Sequence, residues 1–330
     1  MKKRLYIFNN GELKRKQNTL YFETEKGKKY LPVEGISDLL VFGEITLNKK
    51  LLGFLTQNKI LVHFFNHYGY YMGTYYPREY YNSGLMILKQ AEHYLEPEKR
   101  LVLAKRFVEG AVSNIQKVLN YYQSRDVNLE EDIASIEELS KRISACQNTE
   151  ELMAIEGNIR EQYYGAFDKI INNPDFSFGA RTKRPPENRI NAMISFGNSL
   201  LYVEVLSEIY KTQLDPRIGY LHSTNNRRFT LNLDVAEIFK PIIVDRMIFS
   251  LINKGIIKKS HFKDQLGGIY LKDNGRQAFI EKWEQKLATT IKHRGLKRNV
   301  SYRTLMRLEL YKIEKHLLED KEYKPFVARW

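Results

Sequence analysis

Apolar and polar positions change their rhythm near residue 77. Before it, short apolar runs recur at Leu5 to Phe8, Leu20 to Thr24, Leu39 to Phe42, Ile60 to Phe65 and Tyr70 to Tyr75, broken by Asn, Gly and charged residues. Such runs, bounded by turn formers, predict β-strands, with one short helix near Lys49 to Gln57. After Pro77 the apolar positions take a helical period over long stretches with few breakers, such as Leu85 to Leu119 and Glu204 to Thr212. The pattern predicts an α+β chain: a small β-rich N-terminal domain over 1–76, a linker over 77–84, and a larger all-α C-terminal domain over 85–330. The segment Asn173 to Asn188, with Asn173-Pro174, the basic run Arg181-Thr182-Lys183-Arg184 and Pro185-Pro186, cannot continue a helix and reads as a loop.

One residue violates the pattern. Glu156 falls in phase with Leu152, Ile155, Ile159 and Tyr163, on the face of a helix that normally packs inward. Asn148 as N-cap and Glu151 three residues on explain the start of that helix but not Glu156. A buried carboxylate is costly unless it is paired, protonated or bound to a cation. Either Glu156 pairs with an arginine, or it lies at the border of the stripe, or it serves a site.

His222 is the most suggestive partner. It follows the apolar run Ile218 to Leu221 and precedes the polar loop Ser223 to Asn226, after which come Arg227, Arg228, a second apolar run and Asp234-Val235-Ala236-Glu237. Asp234 and Glu237 share a helical face at a spacing of three. That spacing has two readings: a capping box, or two carboxylates completing a site with an imidazole. The second suits a divalent cation, Mn²⁺ or Mg²⁺, the nitrogen favouring Mn²⁺.

Charge narrows the partners. The 330 residues carry 53 Lys and Arg against 39 Asp and Glu, a formal charge of +14. Nucleic acid is the first expectation and an anionic membrane surface the second. The balance is uneven: 94–162 holds nine basic and thirteen acidic residues, whereas 251–330 holds nineteen basic and nine acidic, so a polyanion meets the last third first. A single cysteine, Cys146, excludes an internal disulfide and a multi-cysteine zinc site, and fits a reducing cytoplasm. The apolar run at Leu5 to Phe8 is too short for a secretion signal, and no stretch of about 18 apolar residues predicts a membrane span.

Several stretches together carry a resemblance. Gly219-Tyr220-Leu221-His222, then Arg228 through Pro241 with Asp245 beyond, the pair Glu156-Gly157, the loop Arg184-Pro185-Pro186 and the run Asn191 to Leu201 resemble the CRISPR-associated protein one family over essentially the whole chain. The resemblance implies a metal-dependent DNA endonuclease and integrase that inserts short DNA fragments into a repeat array. It also implies a homodimer formed largely through the β domain, a complex with protein two of the same system, and prokaryotic, cytoplasmic action. By motif, the metal ligands would be Glu156, His222 and Glu237, with Asp234 as a supporting acid. Many relatives have Arg at the position of Lys240, Lys at that of Ala111 and Asp at that of Glu237.

DNA, double-stranded, branched or with single-stranded ends, is expected to meet Arg181, Lys183, Arg184, Arg227 and Arg228 near the site, with His293, Arg294, Lys297 and Arg298 as a wider platform. The tyrosines at 68, 70, 71, 75, 76, 80 and 81 are expected to fill the β core rather than stack on bases. Two alternatives stand beside this reading: a related integrase of a mobile element, and a catalytically silent DNA-binding scaffold.

Overall fold

The structure, a computed structural model, describes residues 2–79, 81, 83–224, 229–293 and 295–329. Backbone contacts divide the chain into two compact units, 1–82 and 83–330.

The first unit is β-rich. Strands β1 (Lys3–Ile7), β2 (Gly11–Lys16), β3 (Thr19–Thr24), β4 (Gly27–Pro32), β5 (Ile36–Val41) and β6 (Ile45–Thr46) precede helix α1 (Lys49–Gln57), then β7 (Leu61–Phe65) and β8 (Tyr71–Tyr75). They form two four-stranded sheets, ordered β1-β5-β7-β8 and β4-β3-β2-β6. β1, β5 and β7 run parallel and β8 antiparallel to β7. Between the sheets and α1 lies a core that includes Leu13, Leu20, Leu39, Leu51, Leu55, Ile60 and Val62. All five expected strands and the helix are present; β2, β4 and β6 are additions, because charged side chains hide the alternation of β2 and β4 that pairing with β3 reveals, and the two residues of β6 are too few to show one. Tyr75 packs against this core and donates from its hydroxyl to the Leu52 carbonyl, but the expected filling of the core by the tyrosines goes no further: Tyr68, Tyr70, Tyr71 and Tyr76 are only partly buried, Tyr81 is exposed, and Tyr80 lies outside the described residues.

The second unit is mostly helical. The stretch of helical period from Leu85 to Leu119 forms two helices, α2 (Gly84–Leu95) and α3 (Pro97–Gln123), because the pyrrolidine of Pro97 drives Glu96 out of the helical region and starts the next helix. Then follow α4 (Glu130–Lys141), α5 (Thr149–Gly165), α6 (Phe167–Ile170), α7 (Arg189–Ile209), α8 (Leu231–Phe239), a π-helical turn over Lys240–Asp245, and α9 (Arg246–Asn253). Two hairpins lie within this unit and modify the all-α expectation: β9 (Phe262–Gln265) with β10 (Gly268–Leu271), and, after α10 (Asp273–Ala288), β11 (Thr290–His293) with β12 (Arg298–Ser301). Helix α11 (Tyr302–Leu317) closes the series. Strands of four residues are too short to declare a period of two.

Helix α7 runs through the core. It is buried from Ile190 to Ile209 on nearly every side, and its buried Glu204 and Glu208 are paired with Arg303 and Arg307 of α11. Helix α3 packs on α8, and its Asn114 donates to the carbonyls of Ile238 (2.9 Å) and Phe326 (3.0 Å) while accepting from the Ala328 amide (2.8 Å). Asn114 thus ties α8 and the segment after α11 to α3. No described helix is long and apolar enough to cross a membrane.

Candidate metal centre

The loop 219–222 is held against the first turn of α8 by one carboxylate. Asp234 Oδ2 accepts hydrogen bonds from the amides of Tyr220 (2.5 Å) and Leu221 (3.0 Å), and Oδ1 accepts from the His222 amide (3.0 Å) and ring Nδ1 (2.7 Å). The loop is pinned from behind by Gln90 of α2, which exchanges hydrogen bonds with the backbone of Asp215, and by Arg100 of α3, which donates to the Tyr220 carbonyl at 2.9 Å. Gly219 makes the approach possible. A Cβ there would lie 2.8 Å from Asp234 Oδ2 and 2.7 Å from the Thr230 carbonyl carbon.

These contacts correct the capping reading of Asp234 and Glu237. The helix begins at Leu231, with Thr230 before it, so Asp234 sits inside the helix and spends its carboxylate on the neighbouring loop. An ionised carboxylate only accepts, so the His222 Nδ1 carries the proton and the lone pair of the neutral ring is on Nε2. Burial opposes charge on this imidazole, but the bond to Asp234 outweighs it and the ring is held above its ordinary value.

Glu237 lies one turn further along α8. It is buried, and its two oxygens accept from Arg160 Nη2 and Lys240 Nζ in short contacts. Burial alone would raise this carboxyl; Lys240 and Arg160 overcome it and hold it at about 2. Arg160 also reaches Glu156 Oε1 through Nε (3.1 Å) and Nη2 (3.0 Å). One guanidinium thus joins the acid of α5 to the acid of α8. His222 and Glu237 also feel each other's charge. Glu156 itself is partly exposed, at the edge of the inward stripe, with its side chain 22% accessible. Both structural readings of Glu156 are realised, the arginine pair and the border position, and neither removes it from the neighbourhood of Glu237.

Helix α5 places Glu156 through the expected start: the Asn148 side chain accepts from the Glu151 amide at 2.8 Å. Glu151 reaches back one residue further than expected, to the Gln147 amide. Asp245, at the end of the π-helical turn, is 1% exposed, and burial pushes its carboxyl up to about 7 against the pull of Arg160 and Lys240.

The basic residues separate into three groups. Lys183 is exposed, yet desolvation with Arg181 and Lys240 pushes its ammonium down while Glu156 and Glu237 oppose, so it stands within electrostatic reach of both acids. Arg181 is committed to α7, donating to Asn191 Oδ1 (2.9 Å) and Ser195 Oγ (3.2 Å), and braces the loop that carries Lys183. Arg184 is exposed, as are Lys297 and Arg298 on the β11–β12 hairpin. Arg227, Arg228 and Arg294 lie outside the described residues.

Arg160 and Asp245 carry roles that the sequence pattern did not assign. The signal for Arg160 was present: an arginine four residues after a glutamate on one helix face.

The donor chemistry fits a divalent cation: two carboxylates and an imidazole whose other nitrogen is held by a third carboxylate, an arrangement that orients metal-binding histidines. Among the described residues no three His, Cys, Asp or Glu side chains already converge as a cage; the cations beside the two glutamates are Arg160 and Lys240.

The family model described as CRISPR associated protein Cas1 matches residues 5–285. A relative from Thermodesulfovibrio yellowstonii, named CRISPR-associated endonuclease Cas1 2, is 62% identical over 330 residues, covering 100% of both chains. The solved structure of a Cas1 protein from Thermotoga maritima superposes with a TM-score of 0.90 at 48% identity, over 98% of this chain and 99% of that one. A casposase bound to integration product shares the fold at a TM-score of 0.88 and 22% identity, over 99% of this chain and 94% of that one. With its fold, its ordered motifs and full-length likeness in agreement, the chain belongs to the CRISPR-associated protein Cas1 family.

Proposed function

We propose that this chain is a divalent-cation-dependent DNA endonuclease and integrase that inserts short DNA fragments into a CRISPR repeat array. The observation that carries the reading is the Asp234–His222 lock beside Glu237, which presents an imidazole of defined tautomer next to an ionised acid. Glu156, Glu237 and the Nε2 of His222 would hold Mn²⁺ or Mg²⁺, which supplies Lewis-acid polarisation of a phosphodiester when bound.

The remaining work falls to the chain itself. Asp234 keeps the proton on Nδ1 and the ring in place. Lys183 adds positive charge beside the acids, where a phosphate would otherwise be repelled. Strand transfer needs only a DNA 3′-hydroxyl as nucleophile and releases another 3′-hydroxyl, so no protein nucleophile is required; the buried Cys146 is left a structural role. The name of the 62% identical relative and the integration product held by the casposase of the same fold support this reading. We further infer action in the prokaryotic cytoplasm as a homodimer with the Cas2 protein of the same system.

Strand transfer of a short duplex into repeat DNA with Mn²⁺ tests the reading. Glu156→Ala and His222→Ala should each lower it by roughly a hundredfold or more while DNA affinity stays within a few-fold. Normal strand transfer by either variant would remove the assignment.

A further inference from the structure

Arg160 is bonded to both glutamates, yet it is not fully satisfied. Its Nη1 is buried and meets no hydrogen-bond acceptor. A second group stands nearby: Asp245, 1% exposed, has its Oδ2 buried without a well-formed hydrogen bond, with the buried Tyr163 hydroxyl as the neighbour that acts on its carboxyl as a donor. Arg160 and Asp245 act on each other electrostatically. A buried donor and a buried acceptor of opposite charge, within mutual influence and each short of a well-formed hydrogen bond, describe an arrangement with a second state available. Asp245 is placed there by the π-helical turn over Lys240–Asp245, a widening of the helix that is common where function requires it.

Charge supplies the reason for a second state. Glu156 and Glu237 are balanced by Arg160 and Lys240. A dication added to that group would leave four positive charges on two carboxylates, and like charges at such distances repel strongly in a buried setting. One cation must withdraw. Lys240 is fixed three residues from Glu237 on the same helical path and lies over the Tyr202 ring at 5.0 Å, whereas Arg160 comes from a different helix on a longer, jointed side chain.

We propose that Arg160 is a movable counter-ion: it holds Glu156 and Glu237 together in the absence of a divalent cation, and turns to Asp245 when the cation takes the two carboxylates. This inference rests on the metal reading above. It makes Arg160 and Asp245 positioning residues that set how readily the centre fills. Arg160 competes with the ion, and Asp245 lowers the cost of its departure.

Mn²⁺ uptake by the full chain without DNA, followed by electron paramagnetic resonance of the free ion, tests this directly. Arg160→Met should bind Mn²⁺ roughly tenfold more tightly than the parent, and Asp245→Asn roughly threefold to tenfold more weakly. The double variant should bind like Arg160→Met, because Asp245 acts only through the arginine. Circular dichroism confirms that each variant is folded; should Arg160→Met not fold, Arg160→Lys, with its shorter reach to both acids, should lie between parent and Met in affinity. A folded Arg160→Met, or Arg160→Lys in its place, that binds no more tightly than the parent overturns the proposal. So does an Asp245→Asn variant that binds like the parent, or an Asp245→Asn effect that persists without Arg160. If the parent takes up no Mn²⁺ in a manner dependent on Glu156 and His222, the metal reading itself fails and this inference falls with it, an outcome visible before any Arg160 variant is made.

Discussion

The ring Nδ1 of His222 lies 2.7 Å from Oδ1 of Asp234, and the same carboxylate accepts the backbone amides of residues 220, 221 and 222. One buried acid thus sets both the path of a loop and the tautomer of the histidine that ends it. Polar contacts that serve a loop and a ligand at once couple stability to chemistry, which makes them good places to test.

Asp234→Asn keeps the shape but replaces one accepting oxygen with an NH₂ facing donors. Mn²⁺-dependent strand transfer should fall roughly tenfold to a hundredfold, as when a metal-binding histidine loses its carboxylate. Stability should drop by about 1–3 kcal/mol in denaturant unfolding. An unchanged unfolding midpoint would show that the loop is held by other contacts.

Gly219→Ala places a methyl group against the Thr230 backbone, which cannot move aside cheaply, and against the Asp234 carboxylate, which is held by the amides of 220–222 and the His222 ring. A destabilisation of about 1–3 kcal/mol is expected from the overpacking. Activity should fall together with Mn²⁺ affinity, since the displaced group is the acid that orients His222.

Lys286 gives a pH dependence remote from the site. It lies over the Tyr302 ring at 4.7 Å, and burial together with Arg246 and Lys282 pushes its ammonium down to about 8. Its folded pKa is below the unfolded one, so between about pH 8 and the ordinary lysine value the unfolded state holds a proton that the folded state has released. Stability from this group therefore rises with pH across that window. Lys286→Met should stabilise by roughly 2 kcal/mol at pH 7, with the gain fading toward pH 10. Paired melts at pH 7 and pH 10 measure it; a gain equal at both would assign the effect to packing.

Lys297 and Arg298 extend on an exposed hairpin in the most basic third of the chain. If they contact phosphates, replacing both by Ala should reduce the slope of log affinity against log salt by roughly 2, with no change in sequence preference. Titrations of one duplex at several salt concentrations decide it, and an unaltered slope would make the hairpin an ordinary solvated surface.

The sequence's legibility followed the side-chain pattern. Helix α1, the cap at Asn148 and the turn-rich segment 173–188 rest on neighbours within a few residues and were readable; the strands near Leu39 and Ile60 pair over long separations, but their apolar runs marked them. The lysine-rich strands β2 and β4 were not readable although both form short hairpins with β3, because their charged side chains hide the alternation. Helix α7 showed only its last part as a periodic segment, since a helix buried on most sides has no polar face to mark it.

At the site the division is similar. Residue types and spacing alone singled out Glu156, His222, Asp234 and Glu237, because a charge on an apolar stripe and acids three apart are local facts. Which acid serves which partner was decided only by tertiary structure. Asp234 spends its carboxylate on the loop across from it, Arg160 of α5 ties its neighbour Glu156 to Glu237 of α8, and Asp245 is buried within reach of both cations. Hydrogen bonds and ion pairs act over a few ångströms in space, whatever separates their groups along the chain. The sequence therefore determined the elements and the candidate groups, and the packing of α5, α8 and the 219–222 loop determined the site.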